Sequence, residues 1–200
     1  MKPKLICLYL IVLITHQSFS QEKDASVVTT VIKVTILNPG FSYEQAVGKT
    51  QTIYGQAFLN VSGYYSYSSS LGTSSAIYLD PAFTIQYRHY YNAAKREKRE
   101  KRVAFNSLNY VAPVWEISFA KLSSYYNYYY DQKRLMINRV GVVWGLQRNY
   151  KSRFSLDINV GPGYVFAKPI ESSGMVIKPR VSEFTILGQL NLGIWLNKRN

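Results

Sequence analysis

His89 is the residue of this chain whose type is best suited to catalysis, and it follows Arg88 near the end of a predicted strand. The sequence has two histidines, and the other one, His16, falls within the first twenty residues. Histidine beside serine can act as a general base in acyl transfer or ester hydrolysis, so such catalysis is one hypothesis for His89. No serine or aspartate partner follows from the spacing, and the neighbouring tyrosines favour a histidine at a membrane interface. We therefore expect that the protein is not an enzyme.

Metal and cofactor sites need clustered ligands, which the sequence lacks. The one cysteine, Cys7, lies in an N-terminal apolar run, and the carboxylates are dispersed along the chain. We expect no metal, no cofactor and no disulfide in the mature protein.

The first twenty residues have the layout of a secretory signal peptide. Lys2 and Lys4 precede the apolar run 5–14, and Ser18-Phe19-Ser20 predicts cleavage before Gln21. The run has ~10 apolar residues, whereas a membrane-spanning helix needs ~20. We expect export, followed by a flexible segment over 21–30 and one barrel domain over 31–200.

Apolar and polar residues alternate along most of the mature sequence, as strands with two different faces require. Region 183–196 shows this most clearly, because Phe184, Ile186, Leu190, Leu192, Ile194 and Leu196 share one parity. Asn38-Pro39-Gly40-Phe41 predicts a type II turn between two short strands, although 31–47 as one kinked strand is the alternative. With that turn the sequence predicts eight strands, and no helical period appears in the mature chain.

Four connections and one irregular strand carry further predictions. Region 64–75 is predicted to be a long loop rich in tyrosine, serine and glycine, and 122–134 to be another tyrosine-rich loop. Region 167–180 is predicted to be the last loop. The predicted strand 104–121 changes parity, which a bulge near Ala112-Pro113 would explain. The charged run 95–102 predicts a short, solvated and briefly helical turn that can contact anionic headgroups, and we expect no nucleic-acid binding.

The polar row of each strand contains Gly, Ser, Thr, Asn and Gln with few lysines, which suits the crowded interior of a small membrane barrel. We expect the isolated charges on these rows to pair in the lumen, with Glu183 near Arg139 or Arg88. A soluble sandwich or a lipocalin-like barrel is the alternative. The predicted lumen charge cluster comprises Lys33, Glu44, Arg88, Glu116, Arg139, Asp157 and Glu183.

Tyrosine is abundant, with 18 in the sequence, and it concentrates near predicted strand ends. Such a distribution is typical of an aromatic girdle at a membrane interface. The predicted loop contacts to partners or to lipopolysaccharide are Tyr64, Tyr65, Tyr125, Tyr126, Tyr128 and Tyr129. The net charge of +13 indicates anionic surfaces as partners.

Three short motifs carry a family resemblance: 34–44 with its Asn38-Pro39-Gly40 turn, 79–92, and 144–149. They resemble small outer-membrane β-barrel proteins common in Bacteroidota-type bacteria. The resemblance implies an all-β fold, a single eight-stranded antiparallel up-and-down transmembrane β-barrel in the cell outer membrane, of a kind largely without an assigned activity. Outer-membrane lipid, lipopolysaccharide and the barrel assembly machinery are the implied partners of a monomer. Many such barrels end on an aromatic residue, whereas here Trp195-Leu196 is followed by 197–200.

These observations leave three functional hypotheses. The first is a structural or surface-interaction barrel with a side-chain-filled polar lumen. The second is a narrow channel for small solutes, which paired lumen charges would plug. The third is a lipid-modifying enzyme that uses His89.

Overall fold

A computed structural model describes residues 27–69, 72–121, 134–168, 170–172, 175–178 and 181–198. The predicted signal peptide and residues 21–26 lie outside the described residues. The elements in chain order are β1 (Val31–Leu37), β2 (Gly40–Ala46), β3 (Gln51–Ser68), β4 (Gly72–Tyr90), α1 (Ala93–Glu97), β5 (Asn109–Lys121), β6 (Arg134–Asn149), β7 (Phe154–Ala167), β8 (Ile170–Ser172), β9 (Met175–Lys178) and β10 (Val181–Trp195).

Eight of these strands form a closed antiparallel ring in the order β1-β10-β7-β6-β5-β4-β3-β2. Each strand of the ring pairs with the next one along the chain, and β1 closes the ring on β10. The predicted all-β fold and the ring of eight strands are therefore confirmed. Strands β8 and β9 form a separate two-stranded sheet within a region predicted to be a loop, so that prediction is corrected.

The first hairpin consists of two strands, so the alternative of one long kinked strand is wrong. β1 and β2 pair from Val31 opposite Glu44 to Thr35 opposite Gly40. The predicted type II turn is also wrong, because the left-handed backbone falls on Asn38, with φ 54°, and not on Gly40. Gly40 serves a different purpose, since a Cβ there would lie 2.3 Å from the carbonyl oxygen of Ala57 on β3. It permits the close approach of two backbones.

The turn between β1 and β2 is hydrogen-bonded to the two strands that flank this hairpin, β3 and β10. The carbonyl oxygen of Pro39 accepts a hydrogen bond from the backbone N–H of Leu59 at 2.8 Å. The amide Nδ2 of Asn38 donates to the carbonyl oxygen of Leu190 on β10 at 3.2 Å. Because β1 and β2 have only seven residues each, this turn ends the barrel wall below the tips of the longer strands.

The alternation in the sequence becomes a division between a polar interior and an apolar exterior. On β4, Arg88 is 0% exposed and Gln86 is 2% exposed, whereas Phe83 is 45% and Tyr87 is 47% exposed. Successive side chains of a strand point to opposite faces, so one row fills the ring and the other covers it. A water-soluble barrel has the opposite arrangement.

Two predicted connection lengths are corrected. β3 and β4 pair from Ser68 opposite Gly72 down to Gln51 opposite His89, so 64–75 is mostly strand and not a long loop. Tyrosine and threonine both fit extended backbone well. In contrast, β5 starts at Asn109 and not at 104, which leaves 91–108 as a long connection.

The predicted bulge near Ala112-Pro113 is absent from the described pairing of β5. The register of β5 with β6 is constant from Asn109 opposite Leu146 to Lys121 opposite Arg134. The parity changes in the sequence because Tyr110, on the inward row, is itself a large apolar ring and is fully buried.

The connection 91–108 closes the end of the barrel that carries the described chain ends. It includes the short helix α1, and none of the described helices is long and apolar enough to cross a membrane. Leu108 is fully buried beside Val28, and the ring of Phe105 stacks on Trp195 at 4.3 Å. Asn106 exchanges two 2.8 Å hydrogen bonds with the backbone of Thr29, so the end of the segment expected to be flexible over 21–30 contacts this connection.

Candidate functional site: a charged cluster inside the barrel

Four of the seven predicted lumen charges meet at one level of the barrel interior. Lys33 on β1, Glu44 on β2, Arg88 on β4 and Asp157 on β7 are all buried. Each occupies the inward row of its strand, and the closed ring brings these four strands around one centre. Two cations therefore face two carboxylates. We call these four residues the interior cluster.

Arg88 is the centre of the interior cluster. Its Nη1 lies 2.8 Å from Oδ2 of Asp157 and 3.9 Å from Oε2 of Glu44. Its guanidinium lies between two aromatic rings, 3.6 Å from the centroid of Tyr54 and 4.2 Å from that of Tyr110. Ion pairs and cation–π contacts together offset the loss of water around a buried charge.

Hydroxyl groups also donate hydrogen bonds to the carboxylates of the interior cluster. Glu44 Oε1 accepts hydrogen bonds from Tyr90 at 2.6 Å and from Thr52 at 2.7 Å. Asp157 Oδ1 accepts one from the hydroxyl of Tyr110 at 2.8 Å. Carboxylates that accept several charge-assisted hydrogen bonds hold their donors in place.

Gln147 links the two cations of the interior cluster, a role that the charge pattern alone did not predict. Its Oε1 accepts from Lys33 Nζ and from Arg88 Nη1, both at 2.7 Å, while its Nε2 donates to Glu44 Oε2 at 3.1 Å. The sequence did indicate that Gln147 faces the interior, because it occupies one of the alternate positions of β6 that form the inward row. The neutral amide binds both signs of charge and so separates like charges without leaving either unpaired.

Gly145 makes room for the tyrosine that covers Arg88. A Cβ at Gly145 would lie 2.3 Å from Cζ of Tyr110 and 2.6 Å from its hydroxyl oxygen. The two residues sit opposite each other on β6 and β5. The missing side chain at 145 therefore lets the ring of Tyr110 lie flat across the interior.

Two more predicted charges form a separate pair nearer the other end of the barrel. Arg139 Nη1 lies 2.9 Å from Oε1 of Glu116 and 2.8 Å from the hydroxyl of Ser118. These side chains are 27% and 20% exposed, so they are far less enclosed than the interior cluster. They line a cavity of about 230 Å³ together with Asn60, Asn159 and Gln189.

Glu183 does not join either group, which corrects its predicted position. It is exposed, and it is separated from Arg139 by Val165, with which both residues pair. Arg139 already pairs with Glu116, and Arg88 lies within the interior cluster. A further pair that the sequence did not predict joins Arg134 to Asp80 at 2.9 Å.

Only some of the predicted tyrosine contacts fall on described residues. Tyr64 and Tyr65 lie in β3, opposite Ala76 and Ser75, rather than in a loop. Tyr65 is 72% exposed. The predictions for Tyr125, Tyr126, Tyr128 and Tyr129 concern residues outside those that the structure describes.

His89 lies on the outer face at the end of β4 and is exposed. Its Nδ1 is 3.4 Å from Nε2 of Gln51, the residue opposite on β3. Among the described residues, no serine or carboxylate shares a hydrogen bond with His89, and no group of three or more metal-ligating side chains occurs. This arrangement provides a polar side chain at the rim of the apolar surface.

The comparisons with known proteins found no similar protein. No protein-family model matches the chain, and neither the curated proteins nor the solved structures include a match. The barrel and its interior define the protein as an all-β chain with a ring of eight strands, and the family resemblance stays an expectation.

Proposed function

We propose that this protein is an outer-membrane β-barrel of the structural or surface-interaction type. The observation that carries the proposal is the apolar outer surface of the ring. Large apolar side chains are at least a third exposed on the outer row of every barrel strand: Val34, Phe41, Ile53, Leu59, Phe83, Ile85, Trp115, Phe119, Val140, Val142, Ile158, Val160, Ile186, Leu190 and Ile194.

An apolar surface of this extent needs an apolar solvent. The largest apolar patch on a soluble monomer usually covers about 300–600 Å². Here the exposed apolar row passes around the whole ring, whereas a partner protein would cover one side. A closed barrel also has its backbone groups paired within the wall, as hydrocarbon requires. A lipid bilayer meets both conditions.

The filled interior favours a structural or surface role over a channel. At the level of Arg88 the ring holds two tyrosines, a glutamine and the four charged residues of the interior cluster, all buried. An eight-stranded barrel has an interior just wide enough for side chains. The interior cluster therefore acts as a solid crosslink between strands. The exposed Tyr65 and Tyr67 at the far end of β3 are available for surface contacts.

The proposed outer-membrane location implies which molecules the protein contacts. The cleaved signal peptide would deliver the chain to the barrel assembly machinery, and the folded barrel would sit as a monomer among outer-membrane lipid and lipopolysaccharide. The end that carries the described chain ends would then face the periplasm, and the tips of β3 and β4 would face outward. No cofactor or nucleic acid is part of this proposal.

Electrophoresis without boiling tests the proposal. The full chain is expressed in a Gram-negative host and the outer membrane is extracted with detergent. We expect the protein in that fraction, and we expect boiled and unboiled samples to migrate differently, because a closed barrel resists detergent unfolding. Recovery of the protein entirely in the soluble periplasmic fraction would overturn the proposal.

The two competing hypotheses have their own tests. Stable conductance steps of reproducible size in planar bilayers would establish a channel. For the enzyme hypothesis, a change in lipid A after deletion of the gene would favour catalysis. Loss of that catalytic activity in the variant His89→Ala would assign the activity to His89. We expect neither, because the interior cluster fills the pore and His89 contacts a glutamine.

A further inference from the structure

A pocket lined by basic side chains lies beside α1, at the end of the barrel that carries the described chain ends. It has a volume of about 270 Å³ and is lined by Tyr91, Lys95, Arg96, Arg99, Lys101 and Arg148, with two asparagines. Five of these residues carry a positive charge. No carboxylate belongs to the lining, although Glu97 and Glu100 lie in the same charged run.

This pocket differs from the barrel interior in the balance of its charges. Inside the barrel Arg88 and Arg139 each meet a carboxylate within 3 Å. Among the described residues, no carboxylate forms an ion pair with the side chain of Lys95, Arg99 or Lys101. Several like charges in one pocket repel each other, so an anion placed there is strongly favoured.

Neutral oxygen atoms hold two of the basic residues in place. Arg96 donates from Nε and Nη2 to the carbonyl oxygen of Arg102, at 3.2 and 2.9 Å. Arg148 donates to the carbonyl oxygen of Leu108 at 2.9 Å and to Oδ1 of Asn109 at 2.7 Å. These hydrogen bonds orient two guanidinium groups without neutralising them. The pocket is therefore preorganised for an anion, which lowers the entropy cost of binding.

The position of the pocket identifies the kind of anion. Tyr91 lines it and accepts a 2.6 Å hydrogen bond from Nε1 of Trp144, and both rings are exposed on the outer wall. Tyrosine and tryptophan concentrate where hydrocarbon meets headgroups. The outer row of β4 is apolar just before this point, at Ile85 and Tyr87. The pocket thus lies where the apolar wall ends and a headgroup layer would begin.

We propose that this pocket binds the phosphate of an anionic phospholipid from the leaflet on that side. Arginine and lysine side chains bind phosphate by charge-assisted hydrogen bonds, and Tyr91 and Trp144 would border the first part of the acyl chains. The inference rests on the proposed membrane location. It adds a specific binding site for one class of lipid to the nonspecific contact between the apolar wall and the bilayer.

Native mass spectrometry of the mature full chain in detergent micelles provides the test. The probes are phosphatidylglycerol, phosphatidylcholine and inorganic phosphate. The double variant R99Q/K101Q removes two pocket charges. The matched control K151Q/K198Q removes two charges from exposed lysines at the same end but outside the pocket. Unboiled electrophoresis of each variant establishes separately that the barrel is folded and membrane-competent.

We expect the wild type to retain phosphatidylglycerol in preference to phosphatidylcholine. The pocket variant should bind it about 30-fold more weakly, from about a factor of five for each basic residue near the headgroups. The control should leave binding nearly unchanged, because neither Lys151 nor Lys198 lines the pocket. Equal losses in both variants, or no preference between the lipids, would overturn the site while leaving the barrel proposal intact. Inorganic phosphate that displaces the lipid at equal concentration would show a soluble anion site and overturn the lipid assignment. A chain that never folds into micelles would overturn both proposals.

Discussion

The guanidinium of Arg88 and the carboxylate of Asp157 lie 2.8 Å apart inside the barrel, with side-chain exposures of 0% and 3%. The two residues come from β4 and β7, which are not neighbours in the ring. Their ion pair therefore crosses the interior and ties opposite parts of the wall together. It also closes the space through which a solute would have to pass.

Replacement of Arg88 by methionine should destabilise the barrel strongly. The variant leaves Glu44 and Asp157 facing only Lys33, and a buried charge that loses its partner typically costs about 3–5 kcal/mol. The free energy of unfolding, from urea titration in lipid vesicles, measures the effect. Lys151→Met is the control, and its exposed side chain outside the basic pocket should change stability by less than about 0.5 kcal/mol. Equal stability of the two variants would show that the interior ion pair contributes nothing.

A pair of double-mutant cycles should separate the enclosed ion pair from the open one. For Arg88→Gln with Asp157→Asn we expect a coupling free energy of about 3 kcal/mol. For Arg139→Gln with Glu116→Gln we expect about 1 kcal/mol or less, because these side chains are 27% and 20% exposed and water screens them. The measurement is again vesicle unfolding. A larger coupling at Arg139 would contradict the ranking by burial.

Gly145→Ala should destabilise the interior by crowding Tyr110. The added Cβ would overlap Cζ of that ring, which must then shift from its position over Arg88. Overpacking of this kind costs about 1–3 kcal/mol. The control is Gly188→Ala, where the nearest atom, the carbonyl oxygen of Asn159, would lie 3.7 Å from the new Cβ. Thermal unfolding of both variants in detergent gives the comparison, and matching midpoints would show that Tyr110 has room to move.

Val142→Arg tests which solvent covers the outer wall. Val142 is 50% exposed near the middle of β6, so arginine there would enter hydrocarbon and cost about 2–4 kcal/mol in a bilayer. Tyr67→Arg, near the far end of β3, should cost about 1 kcal/mol or less, because in the proposed barrel it would lie close to the membrane surface. In water both exposed sites would tolerate arginine equally. Folding free energies in vesicles that show no difference would contradict the membrane location.

The sequence predicted the strands better than the connections between them. Alternation identified the inward row of β4 and the outward row of β10, because every second residue of a strand has the same surroundings. The predicted loop over 64–75 was wrong because tyrosine, which is common in this segment, fits extended backbone well. The predicted start of β5 at 104 was wrong because 103–108 packs beneath the barrel. The local alternation of residues does not reveal such a long-range contact.

The sequence by itself determined that this chain has strands with one polar and one apolar face, because the period of two is a local property. Which charges meet was decided only by the tertiary structure. Lys33 and Gln147 are 114 residues apart and Arg88 and Gln147 are 59 apart, yet all three share one hydrogen-bond network. Their meeting depends on ring closure and on the register of each strand pair. The same register keeps Glu183, an equally plausible lumen charge by parity, exposed and away from the interior cluster.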